Sequence, residues 1–241
     1  MATLTQPGTA RKSFDLARTT VRELNQFLHT ELAAEAVEYI DILNPDGQHN
    51  IAVGLDAPAV VDIQGHAGYF VGGMNKRADI TVHGNVGWSV AENIMSGSVR
   101  VKGNASECAG ASGHGGLVVI EGDASSRCGI SMKGCDIVVR GSVGHMSAFM
   151  AQAGHLVVCG DADHGLGDSL YEAVIYVGGE IRGLGADAKV EPMQESDFAT
   201  LAALLAKAGF DQDPTLDLKA FKRVASARTL YHWNADHFQE Y

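Results

Sequence analysis

Aliphatic residues in this chain recur in pairs with one residue between the members, and the pairs return every 19 residues between Val61 and Val177. The first members are Val61, Ile80, Val99, Val118, Ile137, Leu156 and Ile175; the second are Ile63, Val82, Val101, Ile120, Val139, Val158 and Val177. Between them stand Asp62, Thr81, Arg100, Val119, Val138, Val157 and Tyr176, a position that changes freely. Apolar, variable, apolar is the alternation of a short strand with one face buried. Two residues beyond each pair glycine recurs, at Gly65, Gly84, Gly103, Gly122, Gly141, Gly160 and Gly179. Seven residues further on are Gly72, Ala91, Gly110, Gly129, Ala148, Gly167 and Ala186. Both columns, Gly110 and Gly129 included, read as tight corners, where small residues admit positive φ or let two chain segments approach closely.

A 19-residue unit is too short for a βαβ crossover or a four-stranded propeller blade, and it suits one turn of a parallel β-helix. The expected fold is therefore all-β: a single-stranded, right-handed parallel β-helix of about seven rungs, with α-helical caps at both ends. At about 4.8 Å per rung such a rod is roughly 30 to 35 Å long. Residues 1–58 are expected to form an N-terminal helical cap and an irregular first rung, 59–188 the β-helix and 189–241 a C-terminal helical extension. Thr20 and Glu23 make a capping-box pattern ahead of an amphipathic run from Val21 that continues to Glu38. Ser196 precedes a second run that stops at Gly209. A third helix is expected over Asp217–Ala227, with Leu218, Phe221 and Val224 inward, and the aromatic stretch from Thr229 to Tyr241 is expected to dock on this chain or a partner.

Composition narrows the functions. The 241 residues are 46% hydrophobic and 20% charged, ordinary for a globular protein, and the repeat accounts for 29 glycines. The formal net charge of −11, with no basic run, makes nucleic acid and anionic membranes poor partners. Met1 to Ala10 lacks the apolar segment of a signal peptide, and no stretch is long enough to span a bilayer, so a cytoplasmic location is expected.

Candidate chemistry is sparse. Cys108, Cys128, Cys135 and Cys159 form no CxxC pair and fall at different offsets in the rung, which reads as core packing more than metal ligation. His145 and His164 share an offset in consecutive rungs, near Asp161 and Asp163, and read more readily as a surface ladder than as ligands. The residue after each repeat glycine is polar throughout, as expected of side chains that bond turn backbone. No nucleophile, phosphate-loop or zinc-protease spacing occurs, so no catalytic, cofactor-binding or metal-binding residue is assigned to this chain. Met74, Met95, Met132 and Met150, with Lys76, His114, Lys133 and Gln152, are expected along one side of the rod, as a subunit-contact stripe or as a core wall.

Several segments carry a family resemblance: "VRELNQFLH" (21–29), "HAGYFVGGMNKRADITVHGN" (66–85), "AENIMSGSVRVKGNAS" (91–106), "RCGISMKGCDIVVRGSVGHMSAFMAQAG" (127–154) and "GDSLYEAVIYVGG" (167–179). The chain resembles the GXGXG β-helix domain at the C-terminal end of glutamate synthase large subunits and in a formylmethanofuran dehydrogenase subunit. It is most similar to the stand-alone β-helix subunit of N-methylglutamate synthases. That resemblance implies a hetero-oligomer with a class II glutamine-amidotransferase-like subunit and a glutamate-synthase-like subunit. The second partner is expected to carry FMN and an iron-sulfur cluster, while the β-helix is a non-catalytic spacer. Three other readings remain open: a subunit of a formylmethanofuran-type complex; an independent polysaccharide-active β-helix, for which the expected acidic and basic groove residues are missing; and a purely structural, self-assembling solenoid, which the helices expected at both ends disfavour.

Overall fold

The computed structural model describes residues 10–32, 35 and 37–228. The aliphatic pairs become strands β3 (Val60–Gln64), β4 (Asp79–Val82), β5 (Ser98–Val101), β6 (Leu117–Ile120), β7 (Lys133–Val139), β8 (Ala153–Val158) and β9 (Val174–Val177). They stack parallel and in register, with Val61 opposite Ile80, Ile80 opposite Val99, and so on to Leu156 opposite Ile175. These seven strands make about seven turns of a parallel β-solenoid. Both aliphatic columns point inward, where each member is at most 1% exposed. A second ladder of single bridges runs from Ala67 through Val86, Ala105, Ala124, Val143 and Ala162 to Ile181, two residues past each repeat glycine. Each rung is thus tied to its neighbours on more than one side, and no rung could bury its aliphatic residues alone.

Before the rungs, β1 (Ala10–Asp15) and β2 (Val37–Leu43) add two parallel strands, with β2 paired to β3 from Tyr39↔Val60 to Leu43↔Gln64. The sheet therefore continues across residue 58. Helix α1 (Val21–Thr30) starts at the expected Thr20–Glu23 capping box but is shorter than the apolar pattern suggested. The chain beyond it is drawn into β2, because the edge of β3 offers backbone partners that a longer helix would leave unmet. Leu24, Phe27 and Leu28 of α1 join the solenoid core. Asn25 accepts the Ala52 N–H at 3.0 Å and donates to the Asn50 carbonyl at 2.7 Å, while His29 reaches the Val53 carbonyl at 2.7 Å.

The C-terminal end departs from expectation. Helix α2 (Glu195–Ala208) is capped at Gln194 and not at Ser196, so it begins two residues ahead of the expected Asp197, and it ends at Gly209, whose φ is +75°. It lies along the flank of the rod and not over its end. Leu201, Leu204, Leu205 and Ala208 pack on Val119, Val138, Val157 and Tyr176, the outward residues of β6 to β9. Asp197 fastens the start of α2, accepting from Tyr176 Oη at 2.8 Å and from Arg223 Nε at 3.1 Å; at its end Arg100 donates to the Ala208 carbonyl at 2.9 Å. The expected helix over Asp217–Ala227 is instead a 3-10 turn, Leu218–Ala220, followed by β11 (Lys222–Ser226). β11 runs antiparallel between β9 and β10 (Ala188–Glu191), so strands, not a helical cap, take the free edge of the last rung. The stretch expected to dock, 229–241, lies outside the described residues.

Candidate interaction surface

The repeat glycines that precede the polar column are needed for contact between rungs. In each rung the side chain after the glycine accepts the backbone N–H of the same position in the next rung. His66 Nδ1 takes Asn85 N, Asn85 Oδ1 takes Asn104 N, Asn104 takes Asp123, Asp123 takes Ser142, Ser142 takes Asp161 and Asp161 takes Glu180, at 2.7 to 3.0 Å. A Cβ at Gly103, Gly122, Gly141, Gly160 or Gly179 would collide with the accepting atom of that ladder; at Gly84 it would lie 2.6 Å from the Gly65 backbone. Gly65 differs, with φ +144° and Pro45 Cγ 3.1 Å from where its Cβ would stand.

The second small column does require positive φ. Gly110 and Gly129 stand at φ +67° and +70°, and a Cβ there would meet Ile137 Cδ1 at 2.5 and 3.3 Å. Positive φ also recurs two residues before and after this column, as at Phe70 (58°), Gly72 (63°) and Met74 (55°). From Gly72 to Gly167 each rung therefore turns its third side through alternating left-handed residues whose N–H groups are held by adjacent rungs, and the pattern stops at Ala186.

The methionine stripe divides. Met74, Met95 and Met150 are exposed, as are Lys76, His114, Lys133 and Gln152. Met132 is not part of that surface: its position in the rung points inward and it is fully buried in the core. Lys76 pairs with Asp56 at 2.8 Å.

An aromatic column missed by the sequence reading stands on the first rungs. The rings of His49, Tyr69 and Trp88 are stacked along the rod axis, with centroids 4.1 and 5.4 Å apart and planes within 8° and 20°. Tyr69 and Trp88 are 41% and 52% exposed, and Phe70 and Met74 beside them are 41% and 49% exposed. His49 Nδ1 accepts the Tyr69 N–H at 2.9 Å. The signal available in the sequence was spacing, since Tyr69 and Trp88 are 19 residues apart and each follows a glycine.

Comparison with known proteins places the chain. It is 52% identical over 229 residues, covering 94% of this chain and 98% of the relative, to "Protein GlxC" of Rhizobium meliloti (strain 1021). The chain belongs to the GlxC family. No family model matches it, and no solved structure does.

In this GlxC-family solenoid the histidines, aspartates and cysteines singled out from the sequence are engaged in local bonds or wholly or partly buried. His145 Nδ1 bonds the His164 carbonyl at 3.0 Å, and His164 Nδ1 bonds Asp163 at 2.8 Å, so the two rings make different contacts. Asp161 is engaged in the rung ladder. Among the described residues no group of three His, Cys, Asp or Glu side chains is placed to hold a metal ion. Burial pushes the Cys128 and Cys135 thiols up to about 12 and Cys159 up to about 11, so these sulfurs stay protonated and unreactive. Among the described residues no helix is long and apolar enough to cross a membrane.

Proposed function

We propose that this chain is the non-catalytic scaffold of an FMN-dependent, glutamate-synthase-like complex that makes N-methylglutamate and ammonia from glutamate and methylamine. The observation that carries the reading is a frame whose polar groups are consumed by bonds between rungs while aromatic and methionine side chains are held outward. Such a rod fixes the distance and orientation of whatever docks on it, and the ladders resist bending. The class of complex comes from the motif resemblance, and the likeness to Protein GlxC supports a glutamate-synthase-related subunit. FMN and an iron-sulfur cluster belong to a synthase-like partner, and a class II amidotransferase-like subunit completes the assembly.

The test is isolation of the complex from native cells through a tag on this chain, followed by an assay for N-methylglutamate formed from glutamate and methylamine. Activity together with a flavin-bearing and an amidotransferase-like subunit is the expected result. A molybdenum- or tungsten-bearing partner, or stoichiometric FMN on the isolated chain, overturns it.

A further inference from the structure

The aromatic corner on the first rungs combines three features that the rod itself does not require. Phe70 and Met74 hold left-handed backbone, at φ 58° and 55°, while both stay exposed to solvent over nearly half their surface. At the equivalent positions of the next two rungs stand Ser89 and Cys108, and Asn93 and Ser112, with the same backbone. A bulky apolar side chain gains little for the fold in such a place, since left-handed backbone disfavours it and water reaches much of it. The backbone is nevertheless held there by Phe70 N to the Trp88 carbonyl at 2.9 Å and Met74 N to the Glu92 carbonyl at 2.8 Å.

The ring stack has room made for it. A Cβ at Gly68 would lie 2.7 Å from His49 Cε1 and collide with the Gly47 carbonyl oxygen, and one at Gly87 would lie 2.9 Å from Tyr69 Cδ1 and 2.8 Å from the Gly68 backbone, so each ring lies over a glycine of the next rung that rung stacking also needs. The column changes beyond Trp88. One rung on, Glu107 takes the ring's position, and its carbonyl accepts the Ser89 N–H at 2.8 Å. Glu92 lies next to Met74, whose N–H its carbonyl accepts at 2.8 Å, and the Cys108 thiol, raised first by burial, is drawn down by Arg127 and pushed up by Glu107 and Glu92. The stack therefore ends on an indole followed by carboxylates, an arrangement that attracts a cationic side chain over the ring and repels anions.

We propose that this corner, built by Tyr69, Phe70, Met74 and Trp88 with Glu92 and Glu107 beside it, docks a protein subunit that inserts an arginine or lysine side chain in an apolar surround. The proposal rests on the scaffold reading above and assigns to it a place on the rod. Tyr and Trp dominate the energy of many interfaces, and a flanking carboxylate sets the register of a basic partner.

The experiment uses the full chain within its complex, tagged and isolated from native cells, with co-eluting subunits identified by mass spectrometry and quantified. The variants are Trp88→Ala, Phe70→Ser with Met74→Ser, and Glu107→Lys. The serine pair restores what other rungs carry, so the melting temperature should stay level or rise while one identified subunit falls at least about tenfold; Trp88→Ala should lower it about 30-fold. Glu107→Lys should weaken the same subunit most at low salt. Undiminished recovery of every subunit with all variants overturns the docking site, as does a fall in melting temperature that accounts for the loss. That result leaves the scaffold reading standing so long as the wild-type complex forms. If the wild-type chain recovers no subunit, both fall.

Discussion

Gly122→Ala isolates the reason for the repeat glycine. Gly122 does not have positive φ, so alanine is compatible with its backbone, and the obstacle is space alone. A Cβ there would collide with Asn104 Oδ1 and lie 2.8 Å from the Gly103 carbonyl oxygen. The rungs must either separate, straining the Gly122 to Gly103 bond of 3.0 Å, or Asn104 must swing away and release the Asp123 N–H it holds at 2.8 Å. Overpacking of this kind costs about 1–3 kcal/mol, and the lost bond about 1 kcal/mol. The sum of about 2–4 kcal/mol, at about 2–4 °C per kcal/mol for a chain of this size, lowers the melting temperature by roughly 5–15 °C. A double-mutant cycle with Asn104→Ala, followed by denaturant unfolding, separates the causes. Removing the Asn104 side chain relieves one of the two contacts, so the double variant should be less destabilised than the sum of the singles by about 1 kcal/mol or more. Additivity within about 0.5 kcal/mol would refute the coupling of glycine to ladder.

Other consequences can be measured separately. His66→Asn keeps an acceptor at the start of the ladder and should leave the melting temperature nearly unchanged, whereas His66→Ala should lower stability by about 1 kcal/mol in denaturant unfolding. Gly110→Val should be worse than Gly122→Ala, because φ +67° adds strain to the clash with Ile137, and a melting temperature equal to wild type would contradict the corner. Bonds from Thr215 and the Arg140 guanidinium hold the Asp213 carboxyl down to about 2, below its ordinary 3.8. The stabilisation this gives is complete above about pH 4 and is lost as pH falls through about 2. Asp213→Asn should therefore flatten the acid limb of stability between those values, read by circular dichroism. Thiol labelling near neutral pH should reach Cys108 before unfolding, and Cys128 and Cys135 only after it.

The rungs were legible because their signal is repeated: Val61, Ile80 and Val99 share one environment, and each recurrence reinforces the period. The flanks were legible only in part: the Thr20–Glu23 helix start and the Gly209 helix stop stand where expected, but elsewhere one element decides for another. Phe221 and Val224 satisfy a helical spacing, yet β9 left a row of backbone groups unpaired, and pairing with them outweighed local preference. The position of α2 was written in the free column, where Asp62, Thr81 and Arg100 give way to Val119, Val138, Val157 and Tyr176. Read as unconstrained variation, that switch from polar to apolar marks where the helix covers the sheet. Met132 takes the core-wall alternative and the other methionines the surface one because neighbouring positions in a rung alternate between inside and outside, so membership of a stripe turns on a single residue of offset. The aromatic corner went unread because two rings 19 residues apart are visible as a pair only once the period is applied to exposed positions as well as buried ones.

The one-to-one register of the rungs makes the rod a ruler with fixed divisions. Loss or gain of a single residue within it would put aliphatic side chains in water and polar ones in the core, whereas a whole 19-residue segment could be removed or duplicated with every ladder rejoined. The separation between anything bound at the aromatic corner and anything bound near β9 can then change only in increments of about 4.8 Å. Homologous scaffolds that serve partners of different size would differ by complete turns.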